Sequence, residues 1–441
     1  MKKKLLWMIV AILTLSFCLV SCAQNGDSGM VGGGGGGYMS PGVPTNGLDY
    51  ATSEKADASK SKESTGETTG EKTDADEITE ERVDDQRNAG LITACAWDDN
   101  KYYNDWAALF AQEDANTKAG KFSEYTDNAW KFDTLSRVKV TVKNGENFVC
   151  GATVNFFGAD QKEYKAVTNA NGVAYIFPAE EEGTITVKSG EGEGTASFTA
   201  DNRDLTVDLA SSASKANVIK MMFVIDVTGS MGDELNYITN EITDVIGRIA
   251  SNDDQTRIDL ALLFYRDNGD TEKFNYAAFK NVTDPTLLAE QKQALAAQSA
   301  TGGGDYPEAL DEALLMAVGK DWGEENSTKI IFHVFDAPSH SDEENIARCG
   351  QAAKIAAEKG IRYCPILCSG ADLLCEYIAR QGAVYTGGTF IFVTDHSGIG
   401  NAHYDPNIPN AVVEKLNDML VRLAIGYHTG TFADPVWWNA K

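Results

Sequence analysis

Residues 226–230 read Asp-Val-Thr-Gly-Ser and follow directly on the apolar run from Val218 to Ile225. One carboxylate, Asp226, and two hydroxyls, Thr228 and Ser230, thus stand at alternate positions where a buried strand ends. Alternate residues of an extended segment point their side chains the same way, so three oxygens could meet on one cation. The same residues could instead cap the next helix, accepting from its first N–H groups. Two further polar stretches carry similar chemistry. One is the glycine-rich "ATGGGDYPEAL" at 300–310, with Thr301 and Asp305 as candidate donors; the other is Asp336 in "FHVFDAPSH". Asp305 with Glu308 three residues on, and Pro307 between them, also reads as a capping box at a helix start, which leaves Thr301 as the donor. A hard cation such as Mg²⁺ takes about six oxygens in near-octahedral array and keeps some of its water. Asp226 and Asp336 supply charge, while Thr228 and Ser230 are neutral. A partner's carboxylate would then complete the shell.

The elements that must hold these residues can be read from periodicity. After the strand at 218–225, a helix is expected from about 231 to 250, with Leu235, Ile238, Ile242, Val245, Ile246 and Ile249 along one face. There follow strands at "RIDLALLFY" and "FNYAAF", helices near 284–299 and 306–319, and a strand at "KIIFHVF". A helix ended by Gly360, a strand "IRYCPIL", a helix "DLLCEYIARQ", a strand "TFIFV" and a last helix "NAVVEKLNDMLVRLAIG" complete the pattern. Apolar strands alternating with amphipathic helices predict a doubly wound, mostly parallel α/β sheet covered on both faces. Ligands bind such sheets at the carboxyl ends of the strands, where the three polar stretches fall.

Residues 217–428 resemble a von Willebrand factor type A domain. "FVIDVTGSM" matches the family's D-x-S/T-x-S motif, and "YRD" at 265–267, "TGGGDYPEAL" and "VFDAPSH" match blocks of a bacterial branch. The resemblance implies a metal-ion-dependent adhesion site built from these loops, with Mg²⁺, Mn²⁺ or Ca²⁺ bound and an acidic ligand as partner. It implies metal ligands at Asp226, Thr228, Ser230 and Asp336. Where the family often places a Thr after two glycines, this chain has Gly304, so that ligand falls to Thr301 or to Asp305, which adjoins the aligned place. Tyr265, Arg266, Asp267 and His340 are candidates for a ligand-binding rim; for the first three a structural ion pair is an equal alternative, and "SHSDEEN" around His340 also reads as an ordinary helix start. The loop "TDHSGIGNAHYDP" at 394–406 offers two His as a second cation site, or is a self-satisfied loop.

Ahead of this domain, residues 137–210 are short alternating runs broken by Asn-Gly, Gly and Asp, as in a small β-sandwich. "CGATVNF" and "TNANGVAYI" resemble blocks of carboxypeptidase regulatory-like domains, which implies a spacer module without catalytic residues. Residues 89–136 carry Trp97, Tyr102, Tyr103, Trp106, Leu109 and Phe110, and are expected to dock as an extended piece and a helix. Residues 22–88 hold too few large apolar side chains to offset the cost of ordering, and predict a disordered tether with a reach of roughly 45 Å. Residues 1–21 read as a signal peptide, and Leu19-Val20-Ser21-Cys22 resembles a bacterial lipobox, implying lipid on Cys22 and an exported, envelope-anchored chain. No later stretch reaches the length of about 18 apolar residues that spans a bilayer. Residues 429–441 form a C-terminal tail.

With 65 acidic and 38 basic residues the net charge is −27, which excludes nucleic-acid binding by phosphate neutralisation. Exported cysteines can pair; a Cys368–Cys375 bridge is weakly supported, and Cys364 reads as a buried strand thiol. There is no Ser-His-Asp pattern, P-loop or H-E-x-x-H motif, and no general base accompanies the candidate metal site. The expectation is a non-enzymatic surface lipoprotein that binds a protein or other acidic ligand through a metal. The alternatives are an envelope-complex subunit whose metal site is architectural and, less favoured, a metal-dependent hydrolase.

Overall fold

A computed structural model describes residues 89–438, except 112–119, 127–129, 131–132, 160, 211–215, 252–255, 324–325 and 407. The signal segment, Cys22 and the tether lie outside the described residues.

The chain opens with β1 (Thr93–Trp97) and two short helices, α1 (Tyr103–Ala108) and α2 (Ser123–Thr126). Eight strands follow: β2 (Val138–Asn144), β3 (Asn147–Phe148), β4 (Thr153–Phe157), β5 (Glu163–Val167), β6 (Val173–Ile176), β7 (Gly183–Ser189), β8 (Gly192–Phe198) and β9 (Asp204–Asp208). They make one sheet β3-β2-β6, with β9 beside β2, and a second sheet β5-β4-β7-β8. Val138, Val140 and Val142 alternate inward along β2 and meet Val154, Ile185 and Val187 between the two sheets.

The α/β part then runs β10 (Val218–Asp226), α3 (Leu235–Ala250), β11 (Arg257–Tyr265), β12 (Phe274–Asn281), α4 (Pro285–Ala296), α5 (Leu310–Gly319), β13 (Thr328–Phe335), α6 (Glu343–Lys359), β14 (Ile361–Leu367), α7 (Leu373–Thr386), β15 (Phe390–Thr394), β16 (Glu414–Lys415) and α8 (Leu416–Thr429). The sheet order is β12-β11-β10-β13-β14-β15-β1-β16. Strands β11, β10, β13, β14 and β15 are parallel, while β12 and β1 run antiparallel to their neighbours. All nine residues of β10 are buried, as a central strand covered on both faces requires. Leu235, Ile238, Ile242, Val245, Ile246 and Ile249 of α3 pack with α8 on one face; α5, α6 and α7 cover the other. The chain leaves β10 towards α3 on one side of the sheet and reaches β13 through α5 on the other. This switch of direction leaves a crevice at the end of β10.

The aromatic segment at 89–136 is more than a docked appendage. Its extended piece is β1, hydrogen-bonded in the same sheet between β15 and β16. The buried Glu241 carboxylate of α3 accepts from the backbone N–H groups of Gly90, Leu91 and Ile92 at 2.7, 2.8 and 3.1 Å. Trp106 and Phe122 pack around Tyr377 of α7, and buried Arg380 is held between Asp99 and Glu376. The α/β part is thus discontinuous in sequence, and the sandwich is inserted within it. Thr93 pairs with Thr394 at the carboxyl end of β15. The sandwich meets the opposite end of the sheet, where Arg362 at the start of β14 donates to Val167 O at 2.8 Å and to Thr386 O at 2.6 Å.

Three helix starts differ from expectation; α3, expected from about 231, begins at Leu235 after a 3₁₀ turn over Gly229–Asp233. The helix expected from 306 begins at Leu310, because Glu308 N–H is bonded to Pro338 O at 2.9 Å and keeps the preceding chain extended. The last helix begins at Leu416, because Glu414 and Lys415 pair with β1. The six cysteines among the described residues are free, so the Cys368–Cys375 bridge does not form.

Candidate metal centre

Asp226 is the last residue of β10 and is fully buried. Its Oδ1 accepts from Thr228 N–H at 2.9 Å and Thr228 Oγ1–H at 2.7 Å, and Thr228 Oγ1 lies 3.2 Å from Ser230 Oγ. The alternating motif therefore turns inward on itself, bringing the carboxylate and both hydroxyls together. Neither Asp226 nor Ser230 caps α3; a short 3₁₀ turn over Gly229–Asp233 intervenes.

The glycine-rich loop lies against this turn. Thr301 N–H donates to Val227 O at 3.0 Å, and Gly229 N–H to Gly302 O at 3.1 Å. Gly303 has φ +74°, and a Cβ there would stand 2.8 Å from Glu308 Oε1 and 3.3 Å from Thr228 Cβ. The positive φ favours glycine there, and any Cβ would press on both side chains. The side chains of Thr301 and Asp305 are exposed, and Thr301 takes part through its backbone. The residue this loop buries against Thr228 is Glu308 instead, 3 % exposed. The alternative capping box of Asp305 and Glu308 is absent, since α5 starts at Leu310 without a side-chain cap. Asp336, 2 % exposed, follows β13, the neighbour of β10.

Asp226 Oδ2, Glu308 Oε2 and Asp336 Oδ1 are buried with no hydrogen-bond partner. Burial pushes the Asp226 carboxyl up to about 6. Burial, then the charge of Asp226, pushes Asp336 up to about 7. Burial, then the charges of Asp226, Asp267 and Asp336, pushes Glu308 up to about 9. Unpaired buried carboxylates are costly unless neutralised, and a divalent cation relieves both burial and mutual repulsion. Among the described residues no three His, Cys, Asp or Glu side chains form a cage by themselves. A cation here would draw on the hydroxyls of Thr228 and Ser230 and on water as well as on carboxylates, a donor set that suits a hard cation.

The four candidate rim residues sit largely beneath the loops. Tyr265 is fully buried, its hydroxyl 3.0 Å from Nε2 of the core His333. Arg266 is also buried and donates to the carbonyls of Thr301, Glu272 and Ser299 at 2.8, 3.2 and 3.1 Å, pinning the glycine-rich loop. Asp267 pairs with His340 Nε2 at 2.8 Å. In the 394–406 loop both nitrogens of His403 are taken, by Glu234 at 2.5 Å and Asp395 at 2.7 Å on opposite sides of the ring. That is an ion-pair clasp, which leaves the imidazole no free nitrogen for a metal. Sequence reasoning missed Glu308, whose signal was its place just before an apolar helix in a glycine-rich loop.

Residues 220–356 match the family model of the von Willebrand factor A domain. No curated protein matches the sequence. Among solved structures, the conserved hypothetical protein BatB from Bacteroides thetaiotaomicron is similar at 16 % identity, covering 40 % of this chain and 89 % of that one, with TM-score 0.31. The pilus adhesin SpaC from Lactobacillus rhamnosus GG, in its open conformation, is similar at 11 % identity, covering 62 % of this chain and 35 % of that one, with TM-score 0.35. An aerotolerance-related membrane protein from Bacteroides fragilis is similar at 13 % identity, covering 49 % of this chain and 92 % of that one, with TM-score 0.24. With the matched segment spanning β10 to α6 and the sheet mostly parallel, the α/β part of this chain has a von Willebrand factor A-like fold.

Proposed function

We propose that this chain binds a protein or other acidic ligand through a divalent metal ion, Mg²⁺ or Mn²⁺ with Ca²⁺ as a further candidate, held by Asp226, Thr228, Ser230, Glu308 and Asp336. The observation that carries this reading is that Asp226, Glu308 and Asp336 are buried, lie within one another's electrostatic reach and each keep an unpartnered oxygen, with the hydroxyls of Thr228 and Ser230 beside Asp226. The role is binding, with the ligand supplying an oxygen to the metal. Lipid on Cys22 would hold the chain at the cell envelope. The test is capture of partners from envelope extracts by the intact chain in Mg²⁺ and in EDTA, repeated with Asp226→Ala. Capture lost in both EDTA and the variant is expected; capture indifferent to both would end the adhesion reading.

Glu308 favours a second reading. Two carboxylates already neutralise a divalent ion; a third leaves the site with net negative charge and weakens its pull on a ligand's carboxylate. The site would then brace the loops of an assembly subunit. In that case metal removal lowers thermal stability without changing capture.

A further inference from the structure

Three polar rings lie in the apolar interior beneath the candidate metal centre. His333 of β13 is wholly buried, and Tyr265 of β11 and Tyr363 of β14 belong to the core under α5, α6 and α7. The Tyr265 hydroxyl lies 3.0 Å from His333 Nε2, and the Tyr363 hydroxyl 2.8 Å from His333 Nδ1. Phe335 stacks on the imidazole at 4.4 Å between ring centroids and fixes its plane. Tyr265 stands opposite Asp226 in the register of β10 and β11. Its hydroxyl is also a neighbour of the Asp226 carboxyl and lowers that group's proton affinity.

The direction of each bond follows from counting hydrogens. Burial pushes His333 down to about 3, so its ring is neutral and carries one N–H. Among the described residues the Tyr363 hydroxyl has His333 Nδ1 as its only hydrogen-bond partner. A buried hydroxyl needs an acceptor for its hydrogen, so Tyr363 donates to Nδ1. The ring hydrogen is then on Nε2, and Nε2–H donates to the Tyr265 oxygen. The Tyr265 hydrogen must point away from the imidazole, and the acceptor there is the Asp226 carboxyl. The opposite tautomer would strand the Tyr363 hydrogen and turn a Tyr265 lone pair on the Asp226 carboxylate.

We propose that Tyr265 is a positioning residue for the metal: its hydroxyl, oriented by the Tyr363–His333 chain, donates to the Asp226 carboxylate and fixes how that ligand faces the cation. This role rests on cation binding at Asp226. Hydrogen bonds that orient a metal ligand from outside are worth about 10–100-fold in metal affinity. Two kinds of measurement on the full chain test it. In ¹⁵N-histidine NMR of the wild type, His333, assigned through its ring contacts to Tyr265 and Tyr363, should carry its hydrogen on Nε2. Mg²⁺ should shift that Nε2–H resonance, because only Tyr265 stands between it and Asp226. In Mn²⁺ titrations followed by electron paramagnetic resonance, Tyr265→Phe should keep one site and bind about tenfold or more weakly. A merely structural tyrosine would lower the melting temperature and leave the affinity of the folded chain unchanged. A hydrogen on Nδ1, a resonance unmoved by Mg²⁺, or wild-type affinity in Tyr265→Phe would each overturn the proposal and leave the metal reading intact. The two wild-type readings decide the matter where Tyr265→Phe does not fold. No saturable Mn²⁺ binding by the wild type would sink the metal reading and this role with it.

Discussion

Glu308 dominates the electrostatics of the candidate metal centre. It is buried beside Thr228 and lies within the fields of Asp226, Asp267 and Asp336. The folded-state values of Asp226, Asp336 and Glu308, about 6, 7 and 9, lie above the value near 4 of a carboxyl in an unfolded chain. The folded, metal-free protein thus binds more protons than the unfolded one. The contribution of these three groups to stability is fully present at low pH and is lost as pH rises from about 4 to about 9. A bound cation reverses that penalty. The rise in melting temperature on adding Mg²⁺ should therefore be larger at pH 8 than at pH 5. Glu308→Gln should shrink it at pH 8 while raising the melting temperature in EDTA. Thermal unfolding at both pH values checks this, and a Mg²⁺ effect equal at both would contradict it. At this scale the sequence was partly legible. The spacing of Asp226, Thr228 and Ser230 singled them out, but alone it read as easily as a helix cap; the polar stretches at 300–310 and 336 tipped the reading towards a cation. Glu308 was not singled out. Its spacing from Asp305 imitates a capping box, and only the bond from its amide to Pro338 O shows that no helix begins there.

At the scale of elements, the mostly apolar strand β10 and the face of α3 were readable because burial on two faces and on one face leave different periods. The place of β1 was hidden for a physical reason. "TACAW" is one short strand whose partners, β15 and β16, lie some three hundred residues away in sequence, and local periodicity carries no information about such pairings. The consequence is testable. A chain starting at residue 217, where the motif-bearing region begins, lacks β1, the three amides that satisfy buried Glu241, and the Asp99 partner of Arg380. Leaving such buried groups unpaired costs about 1–3 kcal/mol each, more for a charge. It should be insoluble or lack dispersed amide resonances, whereas a chain starting at residue 89 should give a native spectrum. A well-dispersed spectrum from the shorter chain would refute the role of β1.

At the scale of the whole molecule, order along the chain is not order in space. The sequence suggested a series of tether, sandwich spacer and metal domain. The described residues instead enter the α/β sheet first, at the end that carries the candidate metal loops, and the sandwich packs at the other end. A lipid on Cys22 would therefore tether the α/β part directly. Among the described residues no helix is long and apolar enough to cross a membrane. Membrane attachment, if carried by Cys22, should vanish in Cys22→Ala. Fractionation that leaves the variant with the membranes would show another anchor.

The central claim is that a divalent cation binds where the loops after β10 and β13 meet the glycine-rich loop. Electron paramagnetic resonance of Mn²⁺ titrated into the metal-free chain tests it without needing a partner. One saturable site is predicted, displaced by Mg²⁺ and abolished by Asp226→Ala. A titration with no saturable binding, or one unchanged in Asp226→Ala, would contradict the account.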